Sequence, residues 1–211
     1  MMRGFTRLLP LVLLFILLVG CGGAPMGSYT LDGGMTCQTY GSETGLSRLE
    51  ITTAAGDMTR FSLPRASLEP DGDGGFELVD MNFDGHPDIR VAYKKMSNGD
   101  IRYTCFLWQE TGVIKSEQLS ALRGMEIDAE AKMLTAWDRY VIPEEHESRS
   151  RTRHVWQDGT LWAVEKRELL YYPEEEIYCL IDSSAVPGEA LAVVDERWIF
   201  PEKFNENEIW N

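Results

Sequence analysis

What this chain lacks narrows it quickly. Its apolar run at residues 8–19 rises about 18 Å as a helix, against roughly 30 Å of bilayer hydrocarbon, so it is too short to be an ordinary membrane span. Cysteine is scarce at four residues in 211, and histidine is scarcer at three. His146 and His154 sit eight residues apart in a polar stretch led by Pro143, which is not zinc-ligand spacing. Positive charge is also in deficit, with 20 Lys and Arg against 34 Asp and Glu and a net charge of -14. Such a surface repels nucleic-acid phosphates and anionic headgroups, and attracts basic proteins, cationic ligands and metal ions. No nucleophile-elbow glycine–serine pattern, phosphate-cradling glycine loop or zinc-protease helix occurs. No base, nucleophile or oxyanion arrangement can be named either, so the chain is expected not to be an enzyme.

The first twenty residues are read as a segment apart. Arg3 and Arg7 give them positive charge without any acid, and the apolar run follows, which fits an export signal. Leu18-Val19-Gly20-Cys21 comes next and resembles the lipobox of bacterial lipoproteins. The resemblance implies cleavage after residue 20 and a diacylated Cys21 that anchors the protein to a membrane without spanning it. The expected location is therefore the cell envelope, facing the periplasm or the exterior. What remains is 191 residues, enough for one domain with a real core, and its net charge deepens to -16. Cys37, Cys105 and Cys179 are then left in an oxidising compartment, and the sequence does not choose among a disulfide and buried free thiols.

Residues 21–40 are rich in Gly, Ser and Thr and read as a linker to about residue 35, with a strand near 36–40. From there short strands alternate with turn signals. Runs 46–53 and 58–63 bracket Ala54-Ala55-Gly56-Asp57, and 89–95 and 101–108 bracket Ser97-Asn98-Gly99-Asp100. Runs 151–157 and 161–170 bracket Asp158-Gly159. Asn-Gly and Asp-Gly between alternating strands mark hairpins, because both turn residues must accept positive φ. Further strands are expected at 76–79, 176–182 and 191–194, and short helices only at 117–123 and 128–132. The expected fold is mainly β, an antiparallel sandwich or open barrel over residues 41–200, with a polar tail at 201–211.

One stretch carries chemistry: Asp80-Met81-Asn82-Phe83-Asp84-Gly85-His86-Pro87-Asp88. Side-chain oxygens fall at loop positions 1, 3, 5 and 9, the backbone carbonyl of His86 at position 7, and Gly85 at the tight bend. This is the spacing by which a short loop wraps calcium. Asp80, Asn82, Asp84, His86 and Asp88 are the expected ligands, with water or another residue such as Glu77 completing the shell. Position 12 is Val91 rather than a bidentate Glu, and a strand-like run follows, so the loop is expected to join two strands rather than two helices. Asp71-Gly72-Asp73 reads as a turn. Glu174-Glu175-Glu176 reads as a solvated face, and the tryptophans at 108, 137, 156, 162, 198 and 210 read mainly as core, with an aromatic sugar platform as the other use.

The segment 82–88 resembles the D-x-N-x-D-G-x-x-D segment of FG-GAP and VCBS repeats. With the stretches at 103–108, 119–134 and 154–161, it resembles exported bacterial β proteins related to periplasmic lysozyme inhibitors and to immunity proteins against peptidoglycan hydrolases. The similarity runs over about residues 76–166. It implies a calcium-stabilised, non-catalytic domain whose partner is a basic secreted or periplasmic protein such as a peptidoglycan hydrolase. The alternative is a structural or carbohydrate-binding envelope module.

Overall fold

In a computed structural model, the structure describes residues 24–42, 44–65, 75–97, 99–142, 146–203 and 205–210. The export segment, Cys21, Asp71 and Asp73 lie outside the described residues. The chain is mainly β, as its strand and turn pattern predicts, and three antiparallel sheets take up nearly all of it. The first holds β1 (Gly27–Thr30), β2 (Thr36–Ser42), β3 (Gly45–Thr52) and β4 (Met58–Ser62). The second holds β5 (Phe76–Val79), β6 (Asp88–Lys95), β7 (Ile101–Gln109) and β8 (Gly112–Ser116). The third has six strands, β9 (Glu126–Asp128), β10 (Met133–Ile142), β11 (His146–Gln157), β12 (Thr160–Tyr172), β13 (Ile177–Ser184) and β14 (Ala192–Ile199). Every sheet is a meander in chain order, and none of them closes into a barrel.

The sheets stack in layers because the middle one is apolar on both faces. One face sends Phe76, Ile89, Val91, Phe106 and Val113 against Leu31, Met35, Cys37, Leu46, Leu49 and Ile51 of the first sheet and its connections. The other sends Ala92, Tyr103 and Cys105 against Leu134, Leu161 and Trp156 of the third, with Leu119 between them. Strands buried on both sides read as continuous apolar runs rather than alternations, which is how 103–108 stands in the sequence. A third cluster, Leu169, Tyr171, Tyr178, Leu180 and Ile209, closes the far end of the six-stranded sheet.

Several expectations change. The strand expected near 36–40 is β2, but residues 27–35 before it are not a bare linker: β1 pairs with β2 in the first sheet, and Leu31, Met35 and Cys37 are buried in its core. Small polar residues dominate that stretch, and three well-spaced apolar side chains suffice to dock it. Where a helix is expected at 128–132, Asp128 ends β9 and residues 129–132 form the tight turn to β10; Lys132 takes φ 52°, and Asp128 Oδ1 accepts from the Ala131 N–H. The helix expected at 117–123 is α1 (Glu117–Ala121), capped by the Ser116 hydroxyl on the Leu119 N–H. The described residues of the tail take regular structure as well. Helix α2 (Glu206–Trp210) buries Ile209 and sets Trp210 edge-on to Trp137. Strand β14, by contrast, is a free edge whose Val193, Val194 and Trp198 are exposed.

Cys37, Cys105 and Cys179 are free and buried, one in each sheet. Burial pushes the Cys37 and Cys105 thiols up to about 12, so both are inert at neutral pH. No helix among the described residues is long and apolar enough to cross a membrane.

Candidate functional site

The Asp80 to Asp88 segment is the connection of the β5–β6 hairpin. Val79 and Asp88 form its last register pair, and residues 80–87 make the loop. The loop is built by its own side chains. Asp80 Oδ2 accepts from the Gly85 N–H at 2.9 Å, Asn82 Oδ1 from the Asp84 N–H at 3.2 Å, and Asp84 Oδ1 from the His86 N–H at 2.9 Å. Short Asx side chains that bond the backbone two to five residues on are what makes Asp and Asn loop formers. Gly85 takes φ 91°, where a Cβ is strained. Phe83 also sits at positive φ, 61°, and is half-buried against the second core cluster.

All three layers meet here. Asp88 is fully buried, and its carboxylate accepts from two backbone N–H groups, Met81 at 2.8 Å and Trp108 at 2.8 Å, tying the loop to β7. His86 stacks on the Trp108 indole at 3.8 Å, and its Nδ1 lies 2.8 Å from Asp32 Oδ2 in the β1–β2 connection. The Trp108 indole N–H reaches the Asp32 carbonyl at 3.2 Å. From the third sheet, the Trp156 indole N–H donates to the Met81 carbonyl at 2.8 Å.

The electrostatics of the loop are unbalanced. Burial pushes the Asp88 carboxyl up to about 6; its two N–H bonds oppose that, and the Asp84 and Asp80 charges add to it. His86 is held above its ordinary value, first by the bond to Asp32, while partial desolvation opposes and Asp84 and Asp80 add. Among the described residues, no basic side chain lies within ion-pair distance of Asp80, Asp84 or Asp88. Asp80 Oδ1 is buried without a hydrogen-bond partner. A buried carboxylate oxygen without a donor costs about 1–3 kcal/mol or more unless something completes it.

The structure therefore brings Asp80, Asn82, Asp84, His86 and Asp88 into one compact loop, with Asp88 engaged at both oxygens as the staple of its base. Glu77 is not part of it; its carboxylate pairs with Arg90 at 2.6 Å. Among the described residues, no group of three or more His, Cys, Asp or Glu side chains is placed to hold a metal ion by itself. What the loop offers a hard cation is mixed oxygen: the unpartnered Asp80 Oδ1 and the His86 carbonyl, with the Asn82 amide oxygen and the Asp84 carboxylate already accepting bonds inside the loop, Asp84 Oδ2 from the Asn82 side-chain amide at 2.8 Å. Asp32, Trp108 and Trp156 complete the surroundings. They lie far from the loop in sequence, and nothing in the local pattern points to them.

Beside the loop opens a cleft of about 500 Å³ between the β7–β8 hairpin and the β11–β12 turn. Asn82 and Asp84 belong to both the loop and the cleft.

No protein-family model matches the chain, and no curated protein matches it. Among solved structures it is similar to one described as a Xanthomonas type IV secretion system related protein, with a TM-score of 0.53 and 14% identity over 80% of this chain and 92% of that one. At that identity the likeness is one of fold.

Proposed function

We propose that this chain is a non-catalytic, calcium-binding β module of the bacterial cell envelope, anchored through a lipid on Cys21, that binds a basic protein partner and inhibits a cell-wall hydrolase. The observation that carries the reading is the buried, unpartnered Asp80 Oδ1 in a loop of oxygen donors where, among the described residues, no basic side chain comes within ion-pair distance of Asp80, Asp84 or Asp88. Calcium accepts six to eight oxygens in loose geometry. Asp80, Asn82, Asp84 and the His86 carbonyl would hold it, water would fill the open positions, and Asp88 would keep the loop base shut. The ion's role there is structural: it relieves carboxylate repulsion and fixes the junction of the three layers.

Two further observations support the reading. The solved neighbour is related to a secretion system, which agrees with a place in the envelope. The net charge of -14 suits a basic partner, as enzymes that approach anionic wall polymers tend to be. The test is a pull-down of envelope and secreted proteins on the full chain, in calcium and again in chelator, followed by a muramidase assay on what is retained. A basic hydrolase held only in calcium and slowed by micromolar protein is the expected result. Retention of no protein in either condition overturns the partner reading and leaves calcium as a fold staple alone.

A further inference from the structure

The cleft beside the loop has a composition that defines its guest. Leu107, Trp108, Ile114 and Trp156 line it together with the polar Asn82, Gln109, Asp84 and Asp158. Both indole N–H groups are already used inward, on the Asp32 and Met81 carbonyls, so each ring is fixed and neither offers its N–H to the cleft. Ile114 is 46% exposed although it lines a concavity. Asp158 occupies the β11–β12 turn at φ 50° and is exposed, and among the described residues neither it nor Asp84 has a basic side chain within ion-pair distance. Among the described residues, no basic side chain lines the cleft. An aromatic and aliphatic cleft that also carries carboxylates is complementary to a group with an apolar stem and a cationic head.

We infer that this cleft receives an arginine or lysine side chain presented by a protein partner. The stem lies along Leu107 and Ile114, and the head meets the indole rings and Asp158. The inference rests on the reading of the chain as a protein-binding module and names the chemistry by which the partner is held. Asp84 adds its charge when the loop is empty; with a cation in the loop that charge is drawn inward, and Asp158 carries the contact. A basic side chain docked here also touches the element that calcium orders, which couples partner binding to the ion.

The test uses the full chain and three probes: acetyl-Gly-Arg-Gly-amide, its neutral isostere acetyl-Gly-citrulline-Gly-amide, and chitotetraose. Binding is read from the indole N–H resonances of Trp108 and Trp156. The arginine peptide is expected to move both, the citrulline peptide neither, and Asp158→Asn to weaken the response about fivefold, the scale of one exposed charge pair. Equal response to both peptides, no loss in Asp158→Asn, or movement by chitotetraose alone overturns the inference, the last assigning the cleft to glycan. Indoles unmoved by the arginine peptide, with a hydrolase still retained on the chain, overturn the cleft and leave the binding-module reading standing. A charge-dependent arginine response with no hydrolase retained supports the cleft and removes the hydrolase.

Discussion

Two parts of this molecule handle carboxylates in opposite ways. On the third sheet Asp182 is met by Arg167 at 2.6 and 2.9 Å and by Arg197 at 3.4 Å. The Arg167 guanidinium holds that carboxyl below its ordinary range, although partial burial works against it. Arg153 with Glu165 repeats the arrangement on the same sheet, and Arg123, from the connection between α1 and β9, reaches Asp138 of β10. In the Asp80 to Asp88 loop, Asp80, Asp84 and Asp88 are held by backbone N–H groups instead, and burial raises Asp88 to about 6. The sheet is electrostatically closed and the loop is not. Where a protein supplies its own counter-ions the acids serve the fold; where it leaves them out, an external cation has a place to act.

The contrast breaks most sharply at Asp88. Asp88→Ala leaves the buried Met81 and Trp108 N–H groups without acceptors, and is expected to cost about 3 kcal/mol in denaturant unfolding. A cost under ~1 kcal/mol would mean water replaces the carboxylate and the staple is unimportant. Calcium sharpens it next: at about a hundred times its dissociation constant it should stabilise by roughly 2.7 kcal/mol. That raises the melting point by about 5–10 °C. Asp84→Ala should lose that gain, whereas Arg167→Ala should keep it; an equal gain in wild type and Asp84→Ala would remove the loop as the site. On the closed side, Arg167→Ala strips Asp182 of its main partner and the α2 carbonyl of Ile209 of its donor. The expected loss is about 1–2 kcal/mol, measured by chemical denaturation, independent of calcium.

The smallest effect is where stability peaks with pH. Asp88 is raised when folded, so its stabilising share is whole below the ordinary carboxylate range and is lost as pH rises through about 6. Asp182 is lowered when folded, so its share is present above the ordinary range and is lost as pH falls through its depressed value. In chelator these two groups place their optimum on the acid side of neutral. Calcium should move that optimum upward in part, because it cancels the Asp80 and Asp84 charges but not the burial that dominates Asp88. Thermal melts across pH with and without calcium read this directly; identical optima would show that the loop charges do not reach Asp88.

The sequence made some of this legible and not the rest, for reasons tied to particular residues. The Asp158-Gly159 turn and the strands around it could be read because backbone geometry there is local. The loop could be read because its oxygens and Gly85 follow one another at fixed spacing. The strand near 36–40 could be read, but the docking of the segment that leads into it could not, since Leu31, Met35 and Cys37 act only by meeting a second sheet that begins nearly forty residues later. Helix α2 was hidden the same way: its polar composition conceals Ile209 and Trp210, and Arg151 and Arg167 that bind its carbonyls lie on strands far upstream. The partners of His86 and Trp108 at Asp32 are long-range for the same reason.

The three buried thiols have a use of their own. Cys37, Cys105 and Cys179 sit one to a layer, each at most 1% exposed. A thiol-reactive dye can reach each only when its own layer opens, so the three labelling rates act as separate clocks on one molecule. If the middle layer is held by both its neighbours, Cys105 should be the slowest clock. Calcium should slow it further while leaving Cys179, at the far end of the third sheet, to keep its own time.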